Sequence, residues 1–176
     1  QPFFESLRQS YDGFDKWFQK CAEDKRKCWC IEDGNGNIVA ICIYKHEQDT
    51  QLTDNGDIIP GRILKLCTFK VDPKARGKKL GERLLYIAFD YCVKNDLDWV
   101  YLHTFGEEQK TLVGLCTDYG FSCLGKYKQD DVYIKPMKLM DDGCNSLESL
   151  IKYYPYFKDN ESVQKFIIPI QPQFHE

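Results

Sequence analysis

An α/β fold, with a central mixed β-sheet flanked by helices, is predicted by three features of the sequence. Residues 62–95 read as strand, glycine-containing loop and helix in direct succession. A further strand candidate, Asp98 to Thr104, follows that helix, and such a connection returns parallel to its first strand with a right-handed crossover. Upstream, two strand candidates flank Asp33-Gly34-Asn35-Gly36, a tight hairpin turn, which adds an antiparallel pair.

In chain order, Gln1 to Gly13 offers aromatics without clear periodicity. From Phe14 to Glu23, the residues Phe14, Trp17, Phe18 and Cys21 recur at helical spacing and predict an amphipathic helix with an apolar core stripe. Cys28 to Glu32 and Asn37 to Lys45 are the hairpin strands. His46 to Gly61 is polar, contains Gly56 and Pro60, and reads as a loop. Ile63, Leu64, Leu66, Cys67, Phe69 and Val71 then form the central strand. Asp72-Pro73 closes it, because proline has no N–H for a continuing ladder.

After the basic loop Lys74-Ala75-Arg76-Gly77, an apolar stripe of Leu80, Leu84, Leu85, Ala88, Tyr91 and Cys92 predicts the central helix. Glu107 to Tyr119 reads as a second helix stopped by Gly120, and Phe121 to Tyr127 and Val132 to Met137 supply two last strands. The pattern changes past Met137, so residues 1–139 are expected to form one domain and 140–176 an extension or linker. Within the extension, Asn145 to Tyr154 reads as a short helix and Phe166 to Ile168 as a short strand.

At 176 residues with 43% hydrophobic content, the chain suits one domain with a substantial core. A formal net charge of −3 argues against a protein that coats nucleic acid. Nine cysteines are an odd, scattered set, several within predicted core elements (Cys42, Cys67, Cys92), which fits reduced thiols in a cytoplasmic protein. Cys28 and Cys30 are the one close pair, and without a second pair at zinc spacing no metal site is expected. No apolar run reaches membrane-spanning length and no signal peptide opens the chain; the start at Gln1 is read as a trimmed chain or fragment.

The strand–loop–helix unit has a chemical use. A helix start leaves backbone N–H groups without intrahelical acceptors and carries the positive end of the macrodipole. Lys70, Lys74, Arg76, Lys78, Lys79 and Arg83 surround it, so a phosphate or pyrophosphate is the expected guest. A solvated helix start that binds nothing is the plainer alternative.

The phrase Val71-Asp72-Pro73-x-x-Arg76-Gly77-x-x-x-Gly81 resembles the acetyl-coenzyme A signature of the GNAT superfamily of N-acyltransferases. Lys79 departs from it, standing where the middle glycine is usual. Leu115 to Phe121 is similar to the family's L-Y-x-x-x-G-F phrase, and the order of elements from Phe14 to Met137 matches the family minus its usual first strand.

The resemblance implies an enzyme that moves acetyl from acetyl-coenzyme A to a primary amine on a small molecule or peptide. It also implies parallel strands that splay apart at the cofactor site. Phe69 and Val71, with Lys70 between them, would offer backbone contacts to the pantetheine arm. The amides of Arg76, Gly77, Lys78, Lys79, Leu80 and Gly81 would hold the pyrophosphate, with Glu82 and Gln109 also at the cofactor. Cys116 stands where the family's acidic tyrosine is usual. It is either the proton donor to the departing thiolate or a packing residue, with Tyr119, water or nothing then taking that role; a cysteine acyl-enzyme is a third reading. His103 is the candidate base, or else a satisfied histidine at a strand edge, with a water chain to bulk carrying the proton instead. Glu47, Asp54 and Asp57, in the long loop, are candidates to recruit a cationic amine.

A reading from another class is a module of this fold that binds coenzyme A or RNA with little catalysis inside a larger protein. The tail resembles the connector in prokaryotic proteins where a GNAT domain precedes an ASCH domain, a PUA-like fold linked to RNA; RNA contact is expected only through such a neighbour.

Overall fold

The computed structural model describes residues 2–10, 12–105 and 109–138, and two short strands at 156–157 and 166–167. After a 3-10 turn at Pro2–Phe4, the order is α1 (Glu5–Ser10), α2 (Phe14–Glu23), β1 (Lys27–Glu32), β2 (Ile38–Gln51) and β3 (Ile58–Val71). Then come α3 (Leu80–Lys94), β4 (Trp99–Thr104), α4 (Lys110–Asp118), β5 (Ser122–Tyr127) and β6 (Asp130–Pro136). Six strands are hydrogen-bonded in the order β1-β2-β3-β4-β6-β5, a mixed sheet with one parallel pair. The short strands β7 (Tyr156–Phe157) and β8 (Phe166–Ile167) pair separately and antiparallel. The helix expected at Asn145 to Tyr154 lies outside the described residues.

Two expectations need correction. Residues before Gly13 include the helix α1, which is too short for apolar periodicity to reveal it. The stretch from His46 to Gly61 is mostly strand: β2 runs on to Gln51 and β3 begins at Ile58, each strand 14 residues long. Beyond Lys45 most positions of β2 are exposed, with Glu47 and Thr50 half-buried, so a polar run here forms a largely wet strand rather than a loop.

Two compact units divide the chain, the first from Gln1–Lys45 and Leu66–Ile87, the second from His46–Lys65 and the residues from Ala88 onward. In the first, Phe4, Phe14, Ile41 and Ile43 form a core cluster with Trp17 and Cys67 packed against it. Phe18 stays 38% exposed, so the predicted α2 stripe is narrower than its spacing implied. The hairpin turns as expected: the Asp33 carboxylate accepts N–H bonds from Asn35 (2.8 Å) and Asn37 (2.9 Å). In the second unit, Leu52, Ile63, Tyr101, Val132 and Ile134 make the core. The α3 stripe is buried at Leu80, Leu84, Leu85, Ala88 and Cys92, with Phe89 added.

The base of β3 depends on a glycine. Gly61 has φ +100°, and a Cβ there would meet Asp98 Oδ2 at 2.5 Å. Its N–H donates to Asp49 Oδ1 at 2.7 Å, and the next N–H, of Arg62, donates to Asp98 Oδ2 at 2.7 Å. Gly61→Ala therefore combines backbone strain with a clash and is expected to cost ~2–4 kcal/mol in urea unfolding. A loss within experimental error would contradict this close approach.

Candidate functional site

The first unit carries the loop. Val71 ends β3, and the Asp72 side chain caps a 3-10 turn at Pro73–Ala75 by accepting the Lys74 N–H at 2.9 Å. Arg76 is extended and exposed, Gly77 has φ +79° and Lys79 φ +54°, and α3 begins at Leu80. The first intrahelical bond at this end runs from the Arg83 N–H to the Lys79 carbonyl at 3.1 Å. The amides of Leu80, Gly81 and Glu82 therefore lie in the first turn, where helix geometry supplies no acceptor.

Lys79 holds the conformation that the glycine usual at its position would favour. A left-handed L-residue costs ~1–2 kcal/mol, part of it offset by the ~0.5–1 kcal/mol entropy disadvantage of glycine. Lys79→Gly is thus expected to raise stability by up to ~1 kcal/mol, read as a higher thermal midpoint. A lower midpoint would contradict that account of the loop.

Of the residues predicted to meet a cofactor, Phe69 through Glu82 are brought together in this one segment of the first unit. One detail is corrected: the Arg76 N–H already bonds the Pro73 carbonyl at 3.3 Å. That leaves Arg76 its guanidinium, and the row of amides expected to meet an anion begins after it. The Lys70 ammonium is directed to the Ser6 hydroxyl and lies over the Phe3 ring, 5.4 Å from its centroid. Leu80 and Gly81 are buried, whereas Gly77, Lys78 and Lys79 are exposed.

Gln109, His103 and Cys116 belong to the second unit. Gln109 precedes α4, and its Oε1 accepts the Phe105 N–H at 3.3 Å. Cys116 is fully buried on α4, and burial pushes its thiol up to about 12. His103, on β4, sits with its Nδ1 3.4 Å from Asp130 Oδ2. Its ring is 5.7 Å from that of Tyr101 and 5.5 Å from that of Tyr127. The Tyr101 hydroxyl donates to Glu47 Oε2 at 2.6 Å, and the Lys65 ammonium lies over the Tyr101 ring at 5.1 Å. Desolvation and Lys65 lower the His103 pKa against the opposing pull of Asp130 and Glu47. The imidazole is therefore neutral at neutral pH and able to accept a proton.

Nothing in the sequence singles out Asp130, Tyr101 and Lys65. His103 pairs opposite Val132 across the β4–β6 ladder, and Asp130 comes from the start of β6, so only strand register brings them together. Asp54 is tied elsewhere: its carboxylate accepts the Lys128 N–H at 2.6 Å, clasping the β5–β6 turn. No cluster of three or more metal-ligating side chains occurs among the described residues. No described helix is long and apolar enough to cross a membrane.

Residues 1–121 match the family described as "Acetyltransferase (GNAT) family". The fold is similar to that of a GNAT-family acetyltransferase from Staphylococcus aureus Mu50. The two are 19% identical with a TM-score of 0.58, over 78% of this chain and 90% of that one. Naa20 of Chaetomium thermophilum, in complex with a bisubstrate analogue, gives 19% identity and a TM-score of 0.54, over 73% and 79%. The PaiA N-acetyltransferase of Thermoplasma acidophilum, in complex with coenzyme A, gives 14% identity and 0.53, over 77% and 79%. Among curated proteins, none matches the sequence.

Proposed function

The chain belongs to the acetyltransferase (GNAT) family, and from that premise we propose that it moves acetyl from acetyl-coenzyme A directly to a primary amine. The observation that carries this reading is the loop before α3, where Gly77 and Lys79 turn left-handed and deliver the backbone into a helix start. Three consecutive first-turn amides and the dipole favour a pyrophosphate there. Phe69 and Val71 at the end of β3 offer backbone groups for an extended pantetheine arm, in the manner of an added strand. The Val71 N–H is the donor we assign to the thioester carbonyl.

On the acceptor side, His103 takes the proton of the attacking amine. Asp130 orients the ring, and Glu47 and Asp130 add negative charge suited to a cationic amine or peptide N-terminus. Cys116 is given a packing role. A thiol near 12 holds its proton more tightly than the departing coenzyme A thiolate would, and the side chain has no exposed surface. Residues 1–139 carry the activity, with 140–176 as an extension.

The test is turnover with acetyl-coenzyme A and a panel of primary amines: polyamines, amino-acid amides and peptide N-termini. Free thiol and acetylated amine are expected to appear in equal amounts for at least one class. Coenzyme A binding without product from any amine would overturn catalysis in favour of a binding module.

A further inference from the structure

We propose that Cys28 and Cys30 form a redox-modifiable dithiol that reacts with low-molecular-weight disulfides of the glutathione class and closes into a reversible intramolecular bond. This is independent of acetyl transfer and of the loop before α3. Both residues lie on β1, the first strand in the sheet order, and both thiols are exposed. Their Sγ atoms are 3.6 Å apart, in mutual contact. Pairing with β2 sets Cys28 opposite Ile43 and Cys30 opposite Ile41, so the two point to one face. Cys21, Cys42, Cys92 and Cys116 are buried and Cys67 is half-buried, which leaves this pair and Cys123 as the exposed thiols among the described residues.

The geometry permits closure and makes it reversible. Two positions along a strand lie about 6.4–6.8 Å apart at Cα, near the upper end of what a disulfide spans. Like-facing Cβ atoms share that spacing, beyond the roughly 3.5–4.5 Å a disulfide needs, so closure distorts β1 locally, and strained exposed disulfides are the readily reduced ones. Desolvation, the contact with Cys28 and nearby Glu32 push the Cys30 thiol up to about 11, so Cys30 suits the second step.

In the first step the Cys28 thiolate attacks one sulfur of the external disulfide. That S–S bond breaks, and the departing half takes a proton as a free thiol. The Cys30 sulfur, losing its proton to water, then attacks Cys28 Sγ in the mixed disulfide and expels the second half as a thiol. Two protein thiols are oxidised to one disulfide, and one external disulfide is reduced to two thiols.

The experiment treats the full chain with oxidised glutathione and maps its peptides, with fragmentation to locate bonds. The expected product is a Cys28–Cys30 disulfide, two hydrogens lighter, that an excess of reduced glutathione reopens. Cys28→Ser and Cys30→Ser should each carry glutathione on the remaining sulfur, as Cys123 does in the parent. Glutathione on both Cys28 and Cys30 of one chain without a bond between them would overturn the proposal. So would no reaction at either while Cys123 reacts, or a bond that excess reduced glutathione leaves closed.

Discussion

His103→Ala is expected to lower turnover by about 10²–10⁴-fold, the range of a general base, while coenzyme A affinity stays that of the parent. The pH profile separates this role from a structural one. Desolvation and Lys65 hold the imidazole below its ordinary value of about 6.5, and only the neutral ring accepts a proton. The rate should therefore stay level at neutral pH and fall as pH drops below ~6.5 through the lowered value. Asp130→Asn removes a carboxylate that raises this pKa, so the acid limb should move to still lower pH. An alanine variant as fast as the parent, or an acid limb that Asp130→Asn leaves in place, would remove His103 from the chemistry.

Gly81→Leu is expected to abolish measurable coenzyme A binding. The glycine is buried in the first turn of α3, and a branched side chain there would hold the pyrophosphate off the amides. Losing two charge-assisted hydrogen bonds, each worth ~1.5–3 kcal/mol, weakens binding by roughly 100-fold or more. The circular dichroism of the variant must match the parent for the comparison to count, and Gly81→Ala supplies a milder step. Arg76→Ala should weaken binding less, because its exposed guanidinium is screened by water and salt. A folded Gly81→Leu with unchanged affinity would contradict the placement of the phosphates.

The loop could be read from the sequence because its signals are local. Asp72-Pro73 ends a strand, Gly77 marks a left-handed turn, and the Leu80–Leu84–Leu85 stripe starts a helix, all within fourteen consecutive residues. Even Lys79, the one departure from the family phrase, takes the conformation of the glycine usual there. The long polar strands were not legible. Glu47 and Asp49 look like loop residues until their partners, Tyr101 and Gly61, are known, and those lie 54 and 12 positions away. The same holds for Asp130 beside His103, which no spacing along the chain could announce. Cys116 was visible as a position but not as a chemistry, because only its complete burial shows how firmly the thiol keeps its proton.

Amide chemical shifts of the isotope-labelled protein, followed during a coenzyme A titration, read where coenzyme A touches the chain. Saturable shifts largest at Leu80, Gly81 and Glu82, with smaller ones from Gly77 to Lys79 and at Val71, are the predicted result. No saturable shift, or a largest response outside residues 69–82, would contradict it.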